Sequence, residues 1–134
     1  MTITRRIMLG LMAGAAVLAV LPTVAASAAD RIPFDRAAFD AAVKSGKPVL
    51  VDVSATWCVT CKAQSNVLAA LMKKPEFAAF ATFVVDYDSQ KDVMQSFGVR
   101  DRSTLIVFHN GAEVSRLSWE TSEAAIAGLL SRAL

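Results

Sequence analysis

VLVDVSATWCVTCK, residues 49–62, joins a run rich in β-branched residues to the chain's two cysteines, which lie three positions apart. The run that follows Pro48 is short and apolar, which predicts a buried strand. After Cys58 the apolar residues recur at helical spacing, and Pro75 closes that pattern. The segment therefore predicts a strand, a turn at residues 55–58, and a helix that begins near Cys58.

The placement of the two cysteines predicts thiol chemistry. At the start of a helix, unpaired backbone N–H groups and the positive end of the helix dipole stabilise a thiolate at Cys58. Cys61 follows on the same face one turn later, near enough to attack a mixed disulfide formed at Cys58. Lys62 can lower the thiolate pKa, and Trp57 can shield the sulfur and offer a flat surface to a substrate. Both also fit ordinary surface positions.

The pattern of residues 29–134 predicts one α/β domain. Asp35 is placed to cap a first helix that ends at Gly46, and Thr121 to cap the last helix. The dipeptide Asn110-Gly111 predicts a hairpin between two strands. The predicted order is helix, strand, helix, strand, helix, strand, strand, helix. We therefore expect a mixed central sheet of about four strands flanked by helices, with the site where strand ends meet helix starts.

The first 28 residues predict a secretory signal peptide. They contain basic residues Arg5 and Arg6, an apolar run over residues 7–21, and small residues that end at Ala28. The arginine pair also resembles a twin-arginine export signal. An uncleaved membrane anchor is the alternative, because the apolar run approaches the length that spans a bilayer. Export would place a domain of residues 29–134 in the periplasm.

The charge balance argues against a nucleic-acid partner. The chain has 14 basic and 12 acidic residues, and two of the arginines lie in the predicted signal peptide. The mature domain is then nearly neutral, whereas nucleic-acid binding usually needs a basic excess. Both cysteines belong to the motif, so none remains for a structural disulfide elsewhere.

Residues 49–62 resemble the active-site strand, turn and helix of the thioredoxin superfamily, and the resemblance covers nearly all of the mature chain. Within that superfamily the motif is most similar to the C-terminal domain of DsbD, which carries reducing equivalents to the periplasm. The resemblance implies that Cys58 is the nucleophile, Cys61 the resolving cysteine and Asp52 the buried strand aspartate. Such a carboxylate has a raised pKa and suits a proton acceptor for Cys61. The basic partner that thioredoxins often carry on the next strand is missing from residues 82–88.

The segment VRDRSTLIVF, residues 99–108, departs from the family in the loop that normally faces the active sulfur. Ser103 occupies the position of the family's cis-proline, and Thr104 then matches the family again. A cis bond before a non-proline residue costs about 3–4 kcal/mol. A trans bond with a remodelled groove is the alternative, but the unchanged spacing of the strand favours a cis Arg102–Ser103 bond. The resemblance implies that Arg102, Ser103 and Thr104 contact the substrate. Residues 100–102 either select acidic substrates or form a solvated charged loop.

Together these features predict a periplasmic thiol:disulfide oxidoreductase, monomeric and without a bound cofactor. Val-Thr between the cysteines includes no histidine to stabilise the thiolate, which favours a reductase. Exported proteins with disulfides are the expected substrates, and the resemblance implies a membrane electron donor of the DsbD or CcdA type. The alternative is a dithiol metal-binding module that delivers Cu(I) or bridges a metal between two copies. His109, the single histidine, is expected to be structural.

Overall fold

The computed structural model describes residues 30–134, so the predicted signal peptide lies outside the described residues. Among these residues, no helix has both the length and the apolar character that a membrane span needs. The elements are β1 (Arg31–Pro33), α1 (Arg36–Lys44), β2 (Val49–Ser54), α2 (Val59–Leu71), a 3-10 turn (Pro75–Phe77), β3 (Ala81–Asp86), α3 (Lys91–Ser96), β4 (Thr104–His109), β5 (Ala112–Ser118) and α4 (Glu123–Ser131).

The strands form one mixed sheet in the order β1-β3-β2-β4-β5. The first three strands in this order are parallel, and β4 and β5 add an antiparallel edge. This confirms the predicted α/β fold, but the predicted number of about four strands is wrong because β1 was missed. β1 has only three residues and ends in Pro33, so it is too short to show a strand pattern in the sequence.

Helices cover both faces of the sheet, and the alternation of side chains along β2 decides which residues face which helices. Leu50 packs in a cluster with residues of α2 and α4. Val51 packs in the cluster on the other face, with Phe39 of α1 and Met94 of α3. Because successive side chains of a strand point to opposite faces, Asp52 lies on the same face as Leu50, beneath α2. The strand thus delivers a carboxyl group to the helix that carries Cys61.

The turn signals in the sequence are mostly correct. The Asp35 side chain accepts a hydrogen bond from the Ala38 N–H at 2.8 Å and caps α1. Asn110 and Gly111 have φ of 51° and 84°, the left-handed values that a tight hairpin needs. The predicted cap at Thr121 is wrong by one residue, because Ser122 caps α4.

Candidate active site

Cys58 is the N-cap of α2. Its φ of −89° and ψ of 113° are extended, and its sulfur accepts a hydrogen bond from the Cys61 N–H at 3.2 Å. The two cysteines are joined in a disulfide whose Cα atoms are 5.2 Å apart. Both are buried, with 5% of Cys58 and 2% of Cys61 exposed. The helix therefore begins where the sequence predicted, and it directs its unpaired N–H groups at the first sulfur.

Ser103 lies directly against the disulfide. Its Oγ is 3.3 Å from the sulfur of Cys58 and 3.1 Å from the sulfur of Cys61, and the residue is fully buried. Sulfurs in a disulfide carry no hydrogen, so the Ser103 hydroxyl is the donor to them. The residue that replaces the family's proline thus brings a hydrogen-bond donor to the reactive atoms.

The prediction of a cis bond before Ser103 is wrong, because no peptide bond among residues 30–134 is cis. Ser103 instead adopts a left-handed conformation with φ of 59°. Its N–H donates to the Val53 carbonyl at 2.8 Å, and its carbonyl accepts from the Trp119 N–H at 2.9 Å. A cis bond has a low free-energy cost only before proline, because of the proline ring. Before serine, a single left-handed residue costs less free energy than a cis bond. The chain therefore turns at this point through positive φ.

Gln64 of α2 also fixes the position of the Ser103 loop, and the sequence analysis did not identify it. This fully buried side chain donates from Nε2 to the Ser103 carbonyl at 3.0 Å and to the Glu120 carbonyl at 2.8 Å. A polar residue three positions after Cys61, on the buried face of the helix, was the signal available. Gln64 thus ties the dithiol helix to both loops that border the disulfide.

The conformation of Ser103 leads to a prediction about stability. We expect Ser103→Pro to lower the free energy of unfolding by about 3 kcal/mol or more, because proline cannot adopt positive φ and lacks the N–H that pairs with Val53. Ser103→Gly keeps the N–H and tolerates the positive φ, so its change is expected to stay within about 1 kcal/mol. Urea unfolding of the oxidised proteins measures both changes. A Ser103→Gly protein destabilised by clearly more than about 1 kcal/mol would contradict the left-handed turn, whereas a stable Ser103→Pro protein would show that the loop can adopt the family's cis bond.

Asp52 is a buried carboxyl group with a raised pKa. Only 1% of the residue is exposed, and burial raises the pKa from 3.8 to about 6. The charge of Arg31 opposes this rise, because its guanidinium forms an ion pair with Oδ2. The other oxygen, Oδ1, has no hydrogen-bond partner in the described part of the chain. The carboxyl group can therefore change protonation state not far below neutral pH.

Arg31 corrects the expectation that Asp52 lacks a basic partner. Residues 82–88, on and just after β3, supply no basic partner, and the partner comes instead from β1, on the far side of β3. The same guanidinium donates to the Ser65 hydroxyl of α2 at 2.6 Å. Arg31 therefore connects the edge of the sheet, the buried carboxyl group and the dithiol helix.

The other predicted site residues fall into two groups. Trp57 and Arg102 lie beside each other at the surface next to the disulfide, and Lys62 is exposed on α2. Thr104 is buried, and its hydroxyl contacts the Asp101 carbonyl at 3.1 Å and the Ser118 hydroxyl at 2.9 Å. The structure thus brings Trp57 and Arg102 together at the surface and turns the Thr104 side chain into the loop.

The metal-binding alternative depends on ligands near the two sulfurs. Within residues 30–134, no group of three or more His, Cys, Asp or Glu side chains is placed to hold a metal ion. The hydroxyl of Ser103 occupies the space beside both sulfurs. His109 lies at the far end of β4, next to the hairpin.

Comparison with known proteins agrees with this geometry. Residues 31–132 match the family model described as Thioredoxin. The thioredoxin of Mycolicibacterium smegmatis is 38% identical over 91 residues, which cover 67% of this chain and 81% of that protein. The thioredoxin of Echinococcus granulosus is 37% identical over 83 residues, which cover 62% of this chain and 76% of that protein.

Solved structures show the same fold. The crystal structure of Trxlp from Edwardsiella tarda has a TM-score of 0.73 and 44% identity, and the match covers 75% of this chain and 98% of that one. The thioredoxin of Malassezia sympodialis has a TM-score of 0.67 at 22% identity, covering 77% of this chain and 92% of that one, and supports the fold alone.

A redox dithiol at the first turn of a helix on this sheet defines a thiol:disulfide oxidoreductase. The chain belongs to the thioredoxin family. The expectation of a thioredoxin-superfamily protein is thereby confirmed, and the closer similarity to the C-terminal domain of DsbD stays a prediction.

Proposed function

We propose that this oxidoreductase is a periplasmic disulfide reductase that passes two electrons to the disulfides of exported proteins. Its electrons would come from a membrane transporter of the DsbD or CcdA type. The observation that carries the chemistry is the Cys58–Cys61 disulfide at the N-terminus of α2, in contact with Ser103. The signal-like sequence of residues 1–28 supports the location.

In the first half of the reaction, the reduced protein attacks its substrate. The Cys58 thiolate attacks one sulfur of the substrate disulfide, a mixed disulfide forms, and the other substrate sulfur leaves as a thiolate. The N–H groups at the start of α2 and the Ser103 hydroxyl are placed to stabilise the negative charge on the Cys58 sulfur before the attack.

In the second half, the protein releases the reduced substrate. Cys61 loses its proton, and its thiolate attacks the Cys58 sulfur of the mixed disulfide. The Cys58–Cys61 disulfide forms, and the second substrate sulfur leaves as a thiolate. Asp52 lies on the sheet face beneath α2, with a pKa of about 6, and we assign it the role of proton acceptor for Cys61.

The sequence between the cysteines supports the proposed direction of electron transfer. Val59 and Thr60 bring neither a positive charge nor a histidine to the Cys58 sulfur. A strongly oxidising couple requires a strongly stabilised thiolate in the reduced protein. With the helix terminus and one hydroxyl as the nearest donors, a reducing couple is the better-supported choice.

The reduction potential of the Cys58–Cys61 pair tests the proposed direction. We expect a value near that of thioredoxins, about −270 mV, when the purified protein is equilibrated with defined dithiothreitol buffers and its free thiols are trapped. A potential near −120 mV would make the protein an oxidant and overturn the proposal. Lys47→Gln, at the opposite end of β2 from the dithiol, serves as the matched control and should leave the potential unchanged.

A further inference from the structure

Aromatic rings beside the disulfide hold two positive charges. The guanidinium carbon of Arg102 lies 4.6 Å from the ring centre of Trp57, 4.9 Å from that of Trp119 and 6.0 Å from that of Tyr87. The Lys91 ammonium lies 3.2 Å from the ring centre of Tyr87. Cation–π contacts of this kind hold a cation in place over an aromatic ring. We call these five residues the cationic platform.

Neither cation of the platform is held in a close ion pair with a carboxylate of the described residues. In the part of the chain that the structure describes, the side chains of Arg102 and Lys91 form no ion pair. The Nε of Arg102 is buried without a hydrogen-bond partner. Arg102 as a whole is only half-buried, so an incoming carboxylate can pair with the part of its guanidinium that stays exposed.

Two carboxylates near the platform, those of Asp88 and Asp86, accept hydrogen bonds from other donors. Asp88 Oδ2 accepts from the Trp57 Nε1–H at 2.8 Å. Asp86 accepts from the Asp88 N–H and the Ser89 hydroxyl, both at 2.9 Å, and these bonds, with a smaller contribution from the charge of Lys91, keep the pKa of Asp86 below its usual value. These two acids therefore order the loop, and neither forms an ion pair with Arg102.

The platform also exposes apolar surface. Trp57 is 56% exposed, Trp119 is 44% exposed, and the neighbouring Val59 is 84% exposed. These three are among the five large apolar residues that are exposed in residues 30–134. A concentration of exposed apolar residues at one place marks a binding surface.

The platform adjoins the reactive sulfurs from two directions. Trp57 directly precedes Cys58, and Arg102 directly precedes Ser103, whose hydroxyl contacts both sulfurs. A polypeptide in disulfide exchange with Cys58 must therefore lie over the platform.

We propose that the cationic platform docks an acidic segment that flanks the reactive cysteine of a protein substrate. Substrate carboxylates pair with the Arg102 guanidinium and the Lys91 ammonium, and neighbouring apolar side chains cover Trp57 and Trp119. This inference names the substrate class for the proposed function and rests on the dithiol acting as a reductase.

Three disulfide-bonded peptides that differ only in the residues beside the cysteines provide the test. One carries Glu, one Gln and one Lys at those positions, and the second-order rate constant is measured for their reduction by the reduced protein in excess. We expect the Glu peptide to react about tenfold faster than the Gln peptide, the Lys peptide to be slowest, and the preference to shrink as salt is added.

Substitutions in the platform assign the preference to its cations. Arg102→Gln is expected to bring the Glu-to-Gln ratio close to one, and Arg102→Lys, which keeps the charge without the planar stacking, to retain part of it. Lys91→Gln should lower the ratio less than Arg102→Gln. Lys47→Gln removes an exposed cation at the other end of β2 and should leave the ratio unchanged.

The possible failures are distinguishable. If the parent protein reduces all three peptides at one rate, the reductase function stands and the acidic docking surface is refuted. If Arg102→Gln keeps the full preference, the cationic platform is not its source. If none of the peptides is reduced, the proposed reductase function itself fails.

Discussion

The Cys61→Ala protein is expected to stop after the first half of the reaction and to accumulate as a mixed disulfide between Cys58 and its substrates. Cys61 lies three residues from Cys58 on the same helix, so its attack is intramolecular and has a very high effective concentration. Without it, an external thiol must release the substrate. We expect steady-state turnover to fall by at least about a thousandfold.

Trapping in cells measures this effect and tests the location as well. Non-reducing electrophoresis should show adducts that reductant dissolves, and mass spectrometry of the captured partners identifies them. Partners that carry export signals would support a periplasmic reductase, and exclusively cytoplasmic partners would contradict that location.

The Cys58→Ala protein is the matched control for the trap. It retains Cys61, which is only 2% exposed in the oxidised structure, so we expect it to capture almost nothing. Equal capture by the two proteins would show that the nucleophile and the resolving cysteine have been assigned wrongly.

In the parent protein, ionisation of Asp52 is expected to lower the free energy of unfolding as the pH rises from about 4 to about 6. The Asp52→Asn protein is expected to lose this decrease. Asp52 titrates at about 6 when folded, against 3.8 in an unfolded chain. Because the folded state holds the proton more tightly, this group favours folding most below about pH 4, and its contribution falls until about pH 6. The difference corresponds to about 3 kcal/mol. Asparagine cannot ionise, so this fall should disappear.

Urea unfolding of the two oxidised proteins at several pH values provides the measurement. Asp86 and Glu120 have lowered pKa values, caused mainly by hydrogen bonds from backbone N–H groups, and they change stability in the opposite direction. Subtracting the curve of the variant from that of the parent removes their contribution and leaves that of Asp52. A difference that stays constant between pH 4 and pH 7 would contradict a raised pKa.

The same substitution is expected to slow the chemistry. If Asp52 accepts the Cys61 proton, then Asp52→Asn should slow release of the substrate about tenfold or more near pH 7 and remove a rate increase centred near pH 6. Stopped-flow measurement of mixed-disulfide decay reports this step. Asp40→Asn, on the exposed surface of α1, is the control and should change neither rate nor pH profile. An unaltered pH profile in the Asp52→Asn protein would exclude Asp52 as the acceptor.

Local sequence was sufficient to predict the dithiol and most of the elements around it. Cys58, Cys61 and Asp52 lie on one continuous strand, turn and helix, so their relative positions follow from residues that are neighbours in the chain. The hairpin at Asn110 and Gly111 depends on two adjacent residues for the same reason.

Features that depend on distant pairing escaped the sequence analysis. Arg31 reaches Asp52 only because β1 pairs with β3 and β3 with β2. The conformation of Ser103 depends on hydrogen bonds to Val53 of β2 and to Trp119, which directly follows β5. No local pattern in the sequence encodes these contacts, and they decide the electrostatics of the site.

Arg31 lies only three residues after the predicted end of the signal peptide, on a strand of three residues at the edge of the sheet. Trimming of the mature N-terminus by a few residues would remove it and leave every other element of the fold complete. The carboxyl group of Asp52 would then lose its counter-charge, and its pKa would rise further. If a peptidase processes the chain before residue 31, the place where it cuts would thus set the acid–base properties of a group buried under α2.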